Sequence, residues 1–471
     1  MTTTPDPTRR RFLLGSTAGM AALALAGATG CEPYPPRTPV ASRSLPAGAG
    51  NGLAIAKGAW CVWPRQRALI HPDGRLFVGY LTGRSPLGGT LRATSVDLTR
   101  LQVLEHFELG RVDDLHADDH WSPGLALVGG KVASAWTLHT NDAWLSVSPS
   151  LREPHRRVDL PGKATYAQLH HLWGRRLLTY RGGLPFGWAL AASADGRVWE
   201  SLGTIVTKQP IEGAPPQAGG HRPYLCLTPD RSGQRLWFAA ADSHAGESGM
   251  ASVFVGAIEA DLTITDADGL PVGRVGEAPV TQLDGALTRL LAGQRGADDL
   301  GHRTYRAVDL STHDDGTVQV LITGREPVGP YVGPPPRGLY WHRYWCARRD
   351  PATGAWDVQP LAWAGAELAA HTIDYVGLLA TDPTTPDRVV VSSNVHPATG
   401  APAVGERWQL WEGVRAGGGW VWAPLTADPS RDNIRPVLVA SHDRKALVWM
   451  RGRYRGYVYS QWNTEICARR A

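Results

Sequence analysis

The chain has 471 residues, 43% of them hydrophobic and 19% charged, with 54 glycines, 36 prolines and 19 tryptophans, a composition that excludes a disordered segment and a coiled coil. The formal charge is +5, of which Arg9, Arg10 and Arg11 against Asp6 supply +2, leaving +3 beyond residue 30. That balance makes nucleic acid a poor partner, and beyond residue 30 no run reaches the roughly 18 to 20 apolar residues of a membrane-spanning helix.

In chain order, Thr8 to Leu14 places paired arginines ahead of a modest apolar run that extends from Phe12 to Gly30 and is diluted by glycine, serine and threonine. This reads as a twin-arginine export signal over residues 1–30. It stops at Ala28-Thr29-Gly30-Cys31, which resembles a bacterial lipobox with Ala28 where Leu is usual, so Cys31 is the expected lipidation site and cleavage after Ala26-Gly27-Ala28 the alternative. Residues 31–50, rich in Pro, Ser, Gly and Ala, form an expected flexible tether. The expectation is thus a chain exported through the twin-arginine pathway, a cell-surface lipoprotein or secreted, meeting the membrane only through an N-terminal lipid. Cys61, Cys226, Cys346 and Cys467 lie far apart without a CxxC pair, which leaves disulfides and buried thiols both open.

From Gly52 onward short apolar runs recur, such as Arg75–Tyr80, Gln234–Phe238 and Thr317–Ile322, each preceded by an Asp-Gly or Ser-Gly turn. This is the pattern of β-hairpins. One stretch, Ala286–Gln294, has helical periodicity. Ser193-Ala194-Asp195-Gly196-Arg197-Val198-Trp199 resembles the Asp-box turn of sialidase-like propellers, one residue short, where a carboxylate pins a hairpin. About 420 residues at about 50 to 60 per blade give seven or eight units. The expected fold is all-β, a single seven-bladed β-propeller over residues 51–471, in preference to two β-sandwiches. Gly456–Trp462 alternates like a strand and is expected to close the ring with a segment near Trp60.

Asp118-Asp119-His120-Trp121-Ser122-Pro123 gathers two carboxylates, an imidazole and a proline just before the strand-like Gly124–Val128, in what would be a rim loop. His139, Tyr166 and Arg181 follow at about the spacing of one element. Each alone has a structural reading, a loop-pinning His, a core Tyr or a paired Arg. Together with Trp60-Cys61-Val62-Trp63 and Arg67, Pro123, Thr165, Tyr180, Arg222-Pro223-Tyr224, Asp242, His244, His342-Arg343-Tyr344, Asp374-Tyr375 with Gly377, Asp382-Pro383, Ser393-Asn394 with His396-Pro397, Asp432-Asn433-Ile434-Arg435-Pro436 and Trp449–Gly452, they resemble the BNR-4 repeat family. That family includes ulvan lyases and rhamnose-glucuronate lyases, seven-bladed propellers acting on acidic polysaccharides.

The resemblance implies a polysaccharide lyase that cleaves a glucuronate-containing, rhamnose-bearing glycan by β-elimination: a base takes the C5 proton and an acid protonates the departing O4 oxygen. Arg181 would neutralise the uronate carboxylate through paired hydrogen bonds, and His120 would be the base, since imidazole titrates near neutrality. Tyr166 would be the acid, its phenol lowered by neighbouring cations, with His139 in support; the His and Tyr roles exchange if the substrate epimer changes. Arg222, Tyr224, His244, Tyr344, Asn433 and Arg435 are candidate sugar contacts, and Trp121 and Trp144 candidate stacking surfaces. Near His120 the chain departs from the family, with Trp121-Ser122 where relatives commonly carry Asn and a shorter stretch between His139 and Tyr166. No cofactor is required; the resemblance allows a structural zinc or calcium, and a zinc site could draw on Cys226 or Cys346 with His342 or His244. A monomer is expected. The rival readings are a glycoside hydrolase, with Asp118, Asp119 and Asp242 as candidate acids, and a non-catalytic glycan-binding lipoprotein.

Overall fold

The computed structural model describes residues 52–62, 66–83, 89–112, 118–138, 145–210, 220–244, 250–296, 302–369, 374–456 and 462–471. The signal, the tether, Cys31, His139 and Trp144 lie outside these residues.

Seven antiparallel sheets make the seven blades of a β-propeller. Blade one comprises Ala68–Ile70, Arg75–Gly83, Gly89–Asp97 and Gln102–Val112, and blade two Gly124–Val128, Lys131–Thr137, Leu145–Ser148 and Arg156–Val158. Blade three comprises Ala164–Leu172, Arg175–Gly182, Gly187–Ser193 and Glu200–Thr207. Blade four is larger, with Tyr224–Pro229, Arg235–Ala241, Val253–Glu259 and Thr263–Asp266 extended by Pro271–Arg274 and Thr288–Leu291. Blade five comprises Thr304–Thr312, Val318–Glu326, Trp341–Arg349 and Trp356–Gly365, and blade six Leu379–Thr381, Arg388–Ser393, Gln409–Ala416 and Gly419–Pro424. Blade seven takes Asp432–Ser441, Arg444–Tyr454 and Trp462–Arg470 from the end of the chain and Leu53–Lys57 from its start.

The first strand of each blade contacts the first strands of both neighbours, all the way round from blade one to blade seven and back, so these seven strands line the axis. The ring is closed by Leu53–Lys57 pairing with Trp462–Arg470, Leu53 opposite Ala468 and Lys57 opposite Glu465, which removes an exposed edge. Of the expected closing stretch Gly456–Trp462, residues 457–461 lie outside the described residues; the closing strand is described from Trp462 onward, and its partner lies just before Trp60.

The apolar cores sit between adjacent blades, with Trp60, Trp188 and Trp449 fully enclosed; each buried side chain of this size contributes about 1.5–3 kcal/mol or more before its entropy cost is counted. In blade three the turn Ser193–Trp199 behaves as its sequence suggests: Asp195 Oδ1 accepts from the backbone N–H of Arg197 at 2.7 Å and of Val198 at 3.0 Å, and Gly196, at φ +78°, donates to Ser193 Oγ. The helix expected over Ala286–Gln294 is absent. Thr288–Leu291 instead pairs with Val253–Val255, because an available sheet edge outweighs a short run's weak helical bias.

Candidate active site

Asp118 caps a single 3-10 turn, Asp119–Trp121, by accepting the His120 backbone N–H at 2.7 Å, a local competition with the backbone that short carboxylates favour. The Arg67 guanidinium closes the other end, donating to Ser122 O at 2.5 Å and Pro123 O at 2.9 Å. Burial costs that guanidinium enough to bring its pKa down to about 10. The turn drives Trp121 inward, 3% exposed, into the core between blades one and two, so its ring offers no face to a sugar.

Two other elements reach the turn by the same backbone device. In blade three the pairing shifts between Thr165 and Gln168, leaving one extra residue, and Tyr166 takes φ 61°. In blade seven it shifts between Ile434 and Val437, and Arg435 takes φ 53°. A left-handed non-glycine residue costs on the order of 1–3 kcal/mol, and a bulge re-aims its side chain. Gln66 braces the first bulge, accepting the Leu169 N–H at 2.8 Å and donating to Leu169 O at 2.5 Å. Gly124 lets blade two approach it, since a Cβ there would stand 2.9 Å from Ala167 O.

The result is a buried polar centre. His120 Nδ1 is 2.5 Å from Asp118 Oδ1 and 3.3 Å from Asp119 Oδ1. Its ring centroid lies 5.3 Å from that of Tyr166. Arg181 lies over Tyr166 at 4.7 Å and over Tyr224 at 5.2 Å, and donates to the Tyr224 hydroxyl. Tyr166 stacks on Trp188, yet its hydroxyl, in a residue 1% exposed, has no hydrogen-bond partner among the described residues. Asp119 is a hub by contrast: Oδ2 accepts from Arg435 Nη1 at 2.8 Å and from the Tyr454 hydroxyl at 2.7 Å.

Burial opposes a charge on His120, but Asp118, with Cys61 beside it, holds the imidazole well above its ordinary value. Burial also pushes the Tyr166 phenol well above 10, with Tyr224 adding to it and Arg181 only partly offsetting, so the lowering expected from neighbouring cations is outweighed. Arg181 stays charged against its burial through Tyr224 and Tyr166.

Of the remaining candidates, Tyr224 and His244 join this centre, their rings 5.1 Å apart, and Arg222 is half-buried two residues before Tyr224. Tyr344, Asn433 and Arg435 are spent on the fold. The Tyr344 hydroxyl bridges blades five and six, donating to Ser392 O and accepting from Leu378 N. Asn433 accepts from Trp449 Nε1 at 2.8 Å and donates to Gln409. Arg435 donates to Trp60 O as well as to Asp119. Each was reserved by a partner far away in sequence. Asp242 accepts from the Ser252 N–H, and burial raises its carboxyl; with Asp118 on His120 and Asp119 on Arg435, the three candidate hydrolytic acids are all engaged. Cys61, Tyr375 and Tyr454 also border the centre; Cys61 and Tyr375 fall in segments that carry the family resemblance, while no local pattern marks Tyr454.

Cys61, Cys226, Cys346 and Cys467 are buried free thiols. Cys61, Asp119 and His120 offer ligand atoms within 4.8 Å of one another, whereas Cys226, Cys346, His244 and His342 belong to no such set of three among the described residues. A dication there would gain from Asp119 Oδ1, which lacks a hydrogen-bond partner. It would also face the buried guanidiniums of Arg67 and Arg435, both of which feel Asp119 and Cys61. The cations already present supply the charge Asp119 needs, and the set fits a metal poorly.

No family model matches the sequence, and no curated protein matches it. Among solved structures the chain is similar to an ulvan lyase of polysaccharide lyase family 25, with 13% identity, TM-score 0.56 and coverage of 88% of this chain and 94% of that one. It is also similar to the polysaccharide lyase Uly1, with 11% identity, TM-score 0.50 and coverage of 87% and 90%. At these identities the likeness shows the propeller fold.

Proposed function

We propose that the chain is a polysaccharide lyase of BNR-4 type that cleaves a glucuronate-containing, rhamnose-bearing glycan by β-elimination. One observation carries the reading: a buried phenol, Tyr166, whose hydroxyl has no hydrogen-bond partner among the described residues, packs against both an imidazole and a guanidinium, His120 and Arg181. The two ulvan-type structural neighbours support it. Elimination needs one proton taken and one given, so the active state has lost a single proton from the His120–Tyr166 pair. We assign the lost proton to His120, because an ordinary imidazole titrates about 3.5 units below an ordinary phenol. His120 is then the base for C5–H and Tyr166 the acid for O4, and Arg181 neutralises the uronate carboxylate.

Asp118, Asp119 and Asp242, the candidate acids of the rival hydrolase reading, are each bound to another group of the fold, which favours the lyase reading over one that needs two available carboxyls. The export and lipobox-like pattern ending at Cys31 supports action outside the cytoplasm from a lipid anchor. Ultraviolet absorbance on a panel of glucuronate-containing polysaccharides tests the reading. A rising signal from the conjugated 4,5-unsaturated uronate, lost in His120→Ala, is expected; new reducing ends without absorbance would mean hydrolysis, and neither signal with retained binding would mean a binding protein.

A further inference from the structure

Blades six and seven, with the loop following the second strand of blade five, enclose a cleft of about 1000 Å³ lined by Arg337, Arg407, Arg453, Arg455, Asp432 and Tyr454, among others. Its acids do not balance its cations. Asp432 alone serves two guanidiniums, Arg337 Nη1 at 3.7 Å and Arg407 Nη1 at 3.6 Å, both longer than a hydrogen bond. Glu367, the other acid of the lining, accepts three hydrogen bonds from the backbone N–H groups of Leu339 and Tyr340 and pairs with no arginine among the described residues. Arg431 is matched by Asp428 and Glu465. Arg453 and Arg455, both exposed, have no ion pair among the described residues.

Tyr454 connects this cleft to the centre, because it lines the cleft while its hydroxyl bonds Asp119, the neighbour of His120. The lining also fits a sugar better than a base. Its two aromatic residues, Trp408 and Tyr454, are 4% and 5% exposed, which leaves no face for base stacking, whereas Ser430 and Asn463 expose a hydroxyl and an amide.

We propose that this cleft is a distal anion subsite, in which Arg337, Arg407, Arg453 and Arg455 hold a carboxylate-bearing sugar of the same chain away from the scissile bond. The proposal rests on the lyase reading for its substrate class, but binding tests it without turnover. Guanidiniums at a solvent-facing cleft attract a polyanion through forces that salt screens. It also explains how a chain of nearly balanced charge would grip an acidic polymer.

The test compares wild type with the Arg453→Glu/Arg455→Glu double variant in binding polyglucuronate and its carboxyl-reduced form, a neutral glucan. A second double variant, Arg100→Glu/Arg157→Glu, carries the same change of net charge at exposed positions of blades one and two. Melting curves check that all three are folded. The Arg453/Arg455 variant should bind polyglucuronate about 10-fold more weakly at low salt, with the gap closing toward 1 M salt. The Arg100/Arg157 variant should bind like wild type, and carboxyl reduction should weaken wild type and abolish the difference. Equal binding by all three proteins, an equal loss in both variants, or wild-type indifference to carboxyl reduction would overturn the subsite, as would tighter binding of duplex DNA or anionic vesicles. A wild type that shows the expected binding yet never generates the unsaturated product would sink the lyase reading and leave the subsite standing.

Discussion

Tyr166 and Arg435 occupy equivalent places in blades three and seven. Each lies at a one-residue bulge in an axis-lining strand, each has a left-handed backbone, and each is almost wholly buried. Their side chains end differently. Arg435 is spent: it bonds Trp60 O and Asp119 and lies 4.2 Å over the Tyr454 ring. Tyr166 ends in a hydroxyl with no hydrogen-bond partner among the described residues. The same costly backbone device thus serves once to lock the ring closure and, in the proposed lyase, once to hold the proton donor ready. Unsatisfied polarity, more than strain or burial, tells the two apart.

The comparison predicts opposite responses to substitution, and the largest effect is on turnover. Tyr166→Phe removes only the hydroxyl, which is unbonded among the described residues. Turnover of a susceptible glycan should fall about 10²–10⁴-fold, the usual worth of a positioned proton donor, while the melting temperature holds or rises, since deleting an unpaired buried polar group carries no stability penalty. A clear drop in melting temperature would show a structural role for the hydroxyl.

Arg435→Met should do the reverse. It leaves Asp119 buried with only the Tyr454 hydroxyl on Oδ2, and urea unfolding should show a loss of about 3–5 kcal/mol. An unchanged midpoint would break the contrast with Tyr166.

A smaller effect sharpens the electrostatic half of the argument. Because Asp118 raises the pKa of His120, the basic form needed for proton abstraction accumulates only as pH rises past histidine's ordinary value of about 6.5. The rate should therefore climb through an alkaline limb. Asp118→Asn should move that limb toward lower pH, and a limb that stays put would contradict the pairing. Linkage gives the opposite sign for stability: the His120–Asp118 contact contributes fully below about pH 6.5 and is lost as pH rises through the raised value.

The smallest effect belongs to the Asp-box turn. Asp195 is held below its usual range by the Arg197 and Val198 amides, so Asp195→Ala should lower the melting temperature slightly at neutral pH. The gap from wild type should vanish as pH falls through the depressed carboxylate value, where wild type loses the same contribution.

Hairpin spacing and turn residues made the seven blades legible, because they are local signals. The strand at Thr288–Leu291 was not, since its partner Val253–Val255 lies some 35 residues earlier and decides its conformation. The site divides in the same way. His120, Tyr166 and Arg181 could be singled out because each carries chemistry on its own. That Arg435, Asn433 and Tyr344 are committed to the fold depends on partners such as Asp119, 316 positions from Arg435, which no local pattern announces. Trp121 pointed to a sugar platform until the 3-10 turn, set by Asp118 and Arg67, placed it in the core.

The central claim is that Tyr166 delivers a proton to the departing oxygen while His120 takes one from carbon. The most direct measurement compares two uronate substrates, one with a sugar at O4 and one with an activated nitrophenyl group there that departs without protonation. Tyr166→Phe should lose its activity on the first and retain most of it on the second, whereas His120→Ala should lose both. Equal losses on both substrates in Tyr166→Phe, or full activity on the natural linkage, would contradict the account.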